Sequence, residues 1–140
     1  MVSIRILVVD DYGPWRRMVL TLLEDYSDCQ IVDEAADGLE AIRKITELQP
    51  DLVLLDIGLP VMSGIETARR ACAVSSSSKV LFVSANLALD VVQEALSTGA
   101  HGYVLKSDAA HELLPAIAAV VEGKQFMSAR LASCFKSPPM

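Results

Sequence analysis

Short apolar runs alternate with amphipathic stretches five times along the chain, and this rhythm restricts the folds open to it. The apolar runs predict strands at 4–9, 30–33, 51–55, 80–83 and 103–105. The third run is apolar almost throughout, as expected for a strand whose two faces are both covered by helices. Five strand–helix units predict a doubly wound α/β fold, with a five-stranded parallel sheet in the order 2-1-3-4-5.

Helix-start signals follow the first four runs. Pro14 suits the first turn of a helix, where its missing N–H costs nothing. Residues 37–40 and 63–66 read Asp-x-x-Glu and Ser-x-x-Glu, the pattern of a capping box. Asn86 is suited to cap a helix that runs through Leu96.

The last predicted helix runs from about 108 to 122, and the periodicity stops at Gly123. Pro115 inside this helix removes one backbone hydrogen bond and should kink or loosen its first turns. We therefore expect one domain over residues 1–123, with 124–140 as a C-terminal tail or linker stub.

Charge and cysteine content exclude several classes of protein. The net charge is −6, which disfavours direct nucleic-acid binding. There is no apolar run long enough for a membrane span and no signal peptide at the start. The cysteines are odd in number and widely spaced, which favours reduced thiols in a cytoplasmic protein over disulfides or a zinc site. They are Cys29, Cys72 and Cys134.

Polar side chains directly follow four of the five predicted strands. Asp10 and Asp11 follow the first strand, Asp56 the third, Ser84 the fourth and Lys106 the fifth. In an open α/β sheet, ligands bind outside the carboxyl ends of the strands. We therefore expect these five side chains to meet at one edge of the sheet.

Three carboxylates held together repel one another unless a cation lies among them. Mg²⁺ is the expected ion, because it prefers oxygen ligands and keeps waters that a phosphate oxygen can replace. An ammonium from Lys106 and a hydroxyl from Ser84 can neutralise the oxygens of a phosphoryl group. An aspartate can act as the nucleophile that accepts such a group.

Four motifs follow one another along the chain. They are Val8-Val9-Asp10-Asp11, Leu55-Asp56-Ile57-Gly58-Leu59-Pro60 with Ser63-Gly64, Val83-Ser84-Ala85, and Gly99-Ala100-His101-Gly102-Tyr103-Val104-Leu105-Lys106. In this order they resemble the receiver domain of two-component response regulators, over essentially residues 4–123. The last motif and the ending at Gly123 are most similar to the NarL/FixJ subgroup.

The resemblance implies a role for each acidic residue. Asp56 is the expected phospho-acceptor. Asp11 and Asp56 are expected to ligate Mg²⁺ directly, together with the backbone carbonyl of Gly58. Asp10 is expected to act mainly through a bound water.

The resemblance also implies a switch and its partners. Lys106 is expected to pair with a phosphoryl oxygen, Ser84 to hydrogen-bond another, and Tyr103 to turn inward behind Ser84. A sensor histidine kinase is the expected donor, with a homodimer as a further assembly. The DNA-binding domain usual in this subgroup needs roughly 60 residues after the receiver. Only residues 124–140 follow Gly123, so direct DNA binding by this chain is not expected.

Plainer interpretations of the same residues stay open. Asp10 or Asp11 could cap the helix near Pro14, and Tyr103 could be a packed strand aromatic. Trp15 and Met18 are interpreted as core or helix-face residues. Arg16 and Arg17 are interpreted as solvated, as are Arg69 and Arg70.

Two other functions remain as alternatives. A constitutive docking module could use the same fold, although such a module has no need of mutually repelling carboxylates. A small enzyme is disfavoured, because a flavodoxin-type site needs a Ser/Thr/Gly-rich phosphate loop after the first strand. An aspartate-based phosphatase needs an Asp-x-Asp motif, whereas the acids here are adjacent.

Overall fold

A computed structural model describes residues 3–134 as a parallel sheet with helices on both faces. Its six strands are ordered β2-β1-β3-β4-β5-β6, and every neighbouring pair is parallel. The strands are β1 Ile4–Val9, β2 Cys29–Ala35, β3 Leu52–Leu55, β4 Lys79–Ser84, β5 Gly102–Leu105 and β6 Phe126–Met127. The helices are α1 Gly13–Leu23, α2 Gly38–Leu48, α3 Gly64–Val74, α4 Leu89–Leu96, α5 Ala109–Val121 and α6 Ala129–Ala132, with a 3₁₀ turn over Lys106–Asp108.

The alternation of side chains along the strands divides the core into two layers. Leu7 and Val9 of β1 face a cluster built with α2, α3 and α4, whereas Ile6 and Val8 face a cluster built with α1 and α5. The central strands β3 and β4 are buried on both faces, which explains why they were recognisable as nearly continuous apolar runs. No helix among residues 3–134 is long and apolar enough to cross a membrane.

The predicted doubly wound fold and the order of its first five strands are confirmed, but the sheet has one strand more than expected. Residues 126–127 pair with the edge strand β5, Phe126 opposite Gly102 and Met127 opposite Tyr103. The short helix α6 follows and buries Leu131 to 2% exposure. The segment expected to be a tail thus adds a strand at 126–127 and a short helix that ends at residue 132; residues 135–140 lie outside the described part of the chain.

The N-cap hydrogen bond of each predicted capping box forms. The carboxylate of Asp37 accepts a hydrogen bond from the Glu40 N–H at 2.8 Å. The Ser63 hydroxyl accepts one from the Glu66 N–H at 3.2 Å. Pro14 lies in the first turn of α1, also as predicted.

One helix prediction fails. Asn86 does not cap α4, which begins three residues later at Leu89; its side chain accepts from the Ala88 N–H at 2.9 Å in a turn. Helix α5 runs from Ala109 to Val121 with Pro115 inside it. Pro115 is exposed, so water can satisfy the carbonyl that it leaves without a donor.

Ser128 joins the added segment to the domain through a buried network. Its N–H donates to the Tyr103 carbonyl at 2.9 Å, and its hydroxyl accepts from the Leu105 N–H at 2.8 Å while donating to the Glu112 carboxylate. Ser128 is fully buried. Water therefore has little access to replace these hydrogen bonds if one of them is lost.

We expect Ser128→Ala to lower the free energy of unfolding by about 1–3 kcal/mol, because it leaves the Leu105 N–H buried without an acceptor. Urea unfolding measures this change. Ser133→Ala is the control, since Ser133 is exposed and its hydroxyl donates to the nearby Arg130 carbonyl; its effect should stay within about 0.5 kcal/mol. Equal effects of the two substitutions would contradict a structural role for the buried network.

Candidate functional site

The carboxyl ends of β1, β3, β4 and β5 bring the predicted polar residues to one edge of the sheet. Asp10, Asp11 and Asp56 each offer a carboxylate oxygen, and these oxygens lie within 4.8 Å of one another. The cleft beside them contains Asp56, Ile57, Gly58, Ser84, Ala85, Asn86 and Lys106. The sequence-based expectation that these side chains converge is met in the geometry.

Asp10 is the buried member of the acidic group, with 1% exposure. Its backbone N–H extends the β1–β2 ladder by donating to the Ala35 carbonyl at 3.0 Å, which fixes the residue beyond the strand end. One carboxylate oxygen accepts from the Tyr12 N–H at 2.9 Å. Burial raises the pKa of Asp10, and hydrogen bonding to Lys106 opposes that rise.

Asp56 is held by backbone contacts and leaves its carboxylate partly open. Its N–H donates to the Val9 carbonyl at 3.1 Å, and one carboxylate oxygen accepts from the Ile57 N–H at 2.8 Å. The side chain is 12% exposed. Asp11 is exposed, so the acidic group grades from buried Asp10 to solvent-facing Asp11.

Lys106 lies between the two less exposed carboxylates. Its Nζ is 2.7 Å from Oδ2 of Asp10 and 3.4 Å from Oδ2 of Asp56. Its side chain is 20% exposed, so water screens these pairs less than it would at the open surface. The ammonium therefore offsets part of the mutual repulsion of the carboxylates.

Ser84 and Tyr103 lie behind this group and meet at the loop after β4. The Ser84 hydroxyl accepts from the Asn86 N–H at 3.1 Å, and the Tyr103 hydroxyl donates to the Asn86 carbonyl at 2.9 Å. Tyr103 is fully buried, with its ring 6.1 Å from that of Phe82. Burial raises the pKa of Tyr103, as does the charge of Asp56, while a hydrogen bond with Ser84 opposes the rise.

Two residues near the site make contacts that the sequence analysis did not predict. Arg16, interpreted as solvated, donates from Nε to Glu34 at 2.9 Å and from a terminal nitrogen to the Asp10 carbonyl at 2.6 Å. Trp15, interpreted as a core or helix-face residue, packs on the core but also lies under the Lys106 ammonium, 5.0 Å from the ring centroid. Neither contact has a periodic signal, because each joins α1 to a residue outside it.

The response regulator receiver domain family matches residues 6–118. The chain belongs to this family. A structural neighbour described as a two-component response regulator of the LuxR family, from Aurantimonas sp. SI85-9A1, superposes with a TM-score of 0.89 at 34% identity and 94% coverage of both chains. The signal receiver domain of NarL from Mycobacterium tuberculosis superposes with a TM-score of 0.82 at 31% identity, covering 89% of this chain and all of that one.

Curated relatives include both longer and similar-sized proteins. The transcriptional regulatory protein LiaR of Bacillus subtilis is 33% identical over 129 residues, which are 92% of this chain but only 61% of LiaR. The chemotaxis protein CheY of Listeria monocytogenes is 37% identical over 114 residues, covering 81% of this chain and 95% of CheY. The match thus covers part of one relative and nearly all of the other.

The Asp56 backbone passes directly against Gly64. A Cβ at Gly64 would lie 1.9 Å from the Asp56 carbonyl oxygen and 2.7 Å from the Ile57 Cα. Both neighbours are backbone atoms, so no side-chain rotation relieves the overlap. A larger residue at position 64 must therefore displace the strand end that carries Asp56.

We expect Gly64→Ala to lower the free energy of unfolding by about 1–3 kcal/mol, the usual cost of overpacking a close contact. Chemical denaturation measures it. Gly58→Ala is the matched control, because a Cβ at Gly58 would meet nothing within 4 Å, and it should stay within about 0.5 kcal/mol of wild type. A Gly64→Ala protein as stable as the control would contradict this prediction, because the backbone between β3 and α3 would then move aside without a measurable cost.

Proposed function

We propose that the chain is a phosphorylation switch in which Asp56 accepts a phosphoryl group with the help of Mg²⁺. The observation that supports this most strongly is the grouping of Asp10, Asp11 and Asp56 around one point, with Lys106 beside them. A metal site alone does not require an ammonium among its carboxylates. A site for a phosphoryl group needs positive charge on more than one side of it.

The residues present fit Mg²⁺. Three carboxylate oxygens lie within 4.8 Å of one another, and oxygen is the ligand type that Mg²⁺ requires. Asp11 and Asp56 would hold the ion with the Gly58 carbonyl, and Asp10 would act through water. When bound, Mg²⁺ would neutralise charge on the oxygens of the transferring group.

The proposed step is a substitution at phosphorus. A carboxylate oxygen of Asp56 forms a bond to the phosphorus atom of a phosphohistidine or an acyl phosphate. The bond from phosphorus to the donor nitrogen or oxygen breaks, and the leaving group keeps the electron pair. Lys106 would pair with one phosphoryl oxygen, and the Ser84 hydroxyl would donate to another.

The proposed output is a change of surface near β4 and β5. Ser84 and Tyr103 bond to opposite ends of the Asn86 backbone unit, its N–H and its carbonyl. A Ser84 hydroxyl that turns to a phosphoryl oxygen gives up its hydrogen bond with the Asn86 N–H. The loop between β4 and α4 is then free to move, which alters the surface around α4. A sensor histidine kinase is the proposed donor in a cytoplasmic two-component system, with a homodimer as a proposed output.

We expect wild-type protein to gain one phosphoryl unit when incubated with acetyl phosphate and Mg²⁺, and Asp56→Asn to gain none, because an amide is not a competent nucleophile. Intact-mass spectrometry counts the groups. Asp25→Asn, an exposed substitution outside the site, is the control and should behave as wild type. Uptake by Asp56→Asn at the wild-type level would place the acceptor elsewhere.

We further expect Mg²⁺ to bind in the millimolar range, and Asp11→Asn to weaken its affinity by at least about tenfold, since even outer-shell changes cost 10–100-fold. Isothermal titration calorimetry measures both affinities, again with Asp25→Asn as the control. The alternative of a constitutive docking module predicts no measurable Mg²⁺ binding in wild-type protein. That result would favour the docking module over the switch.

A further inference from the structure

Lys106 has a third contact that is not a carboxylate. Its ammonium lies over the indole ring of Trp15, 5.0 Å from the ring centroid. A cation at this distance from the face of an aromatic ring is attracted by the ring quadrupole, and tryptophan gives the strongest effect of the aromatic side chains. Asp10, Asp56 and Trp15 thus all act on one ammonium group.

Trp15 is itself well fixed. It lies on α1 and packs against the core layer between α1, α5 and the sheet, although it is only partly buried. Its backbone N–H donates to the Tyr12 carbonyl at 3.1 Å in the first turn of the helix. The ring that faces Lys106 therefore belongs to a residue packed on the core in the first turn of α1.

The aromatic contact differs from the two ion pairs in a way that bears on function. The charges of Asp10 and Asp56 hold Lys106 through Coulomb attraction, and a cation bound among those carboxylates would compete for them. The quadrupole of Trp15 carries no net charge, so such a cation does not neutralise it. Its attraction for Lys106 persists when the ion pairs weaken.

We infer that Trp15 is a positioning residue that holds the Lys106 ammonium at the phosphoryl site through a cation–π contact. This inference deepens the proposed function and rests on it for its catalytic consequence. The contact itself is independent of phosphorylation. It can therefore be tested in metal-free protein.

The first test is a double-mutant cycle on the unfolding equilibrium without metal. The variants are Trp15→Leu, Lys106→Gln and the double substitution, compared with wild type. Trp15→Leu should raise the unfolding equilibrium constant by a certain factor in wild type. We expect that factor to be about three- to tenfold smaller in the Lys106→Gln background, which is the coupling of a partly desolvated cation–π pair. Trp15→Phe keeps a weaker aromatic face and should retain part of the coupling.

Tyr26→Leu provides the control cycle with Lys106→Gln. Tyr26 is an exposed aromatic residue after α1, next to the start of β2 and so at the opposite edge of the sheet. This pair should show no coupling. Should Trp15→Leu fail to fold, the cycle with Trp15→Phe replaces it. The fluorescence emission of Trp15, the only tryptophan, is a second measurement, and Lys106→Gln should shift it.

The catalytic consequence is measured with acetyl phosphate and Mg²⁺. We expect Trp15→Leu to lower the maximal phosphorylation rate about three- to tenfold in the wild-type background and to have no further effect beside Lys106→Gln. A coupling of zero in the unfolding cycle would overturn the inference, whatever the phosphorylation result. Coupling without any phosphoryl uptake would support the contact and count against the proposed function instead.

Discussion

The position of Lys106 between Asp10 and Asp56 is the interaction on which the rest of the site depends. Burying Asp10 to 1% exposure is costly unless an opposite charge and hydrogen bonds compensate it. The lysine supplies that charge at 2.7 Å, and the Tyr12 N–H supplies a hydrogen bond. The acidic group can therefore persist at the sheet edge before any cation binds.

Much of this arrangement could be predicted from the sequence, because the fold converts chain order into spatial position. Apolar runs show where the strands end, and parallel strands bring those ends to one edge. Asp56 and Lys106 lie 50 positions apart in the chain, yet each directly follows a strand. The convergence of the predicted residues needed no information beyond the strand boundaries and the topology.

The sequence did not reveal elements whose stability comes from contacts rather than from pattern. Strand β6 has two residues and no alternation of its own; it exists because the edge of β5 offers unpaired backbone groups. Asn86 has the right chemistry for a helix cap, but its side chain serves a turn before α4. Arg16 and Trp15 likewise acquire their importance from partners on other elements, which no helical period encodes.

Strand β5 connects the site to the C-terminal segment. Tyr103 belongs to this strand, and Lys106 directly follows it. Ser128 bonds to the backbone of the same strand at Tyr103 and at Leu105. Because Leu105 precedes Lys106, the hydrogen bonds that dock β6 and α6 also fix the strand end from which the lysine reaches the carboxylates. The position of the Lys106 ammonium therefore depends on two sets of contacts. Trp15 and the carboxylates hold it at the site, and Ser128, which follows the neighbouring strand β6, holds the end of β5.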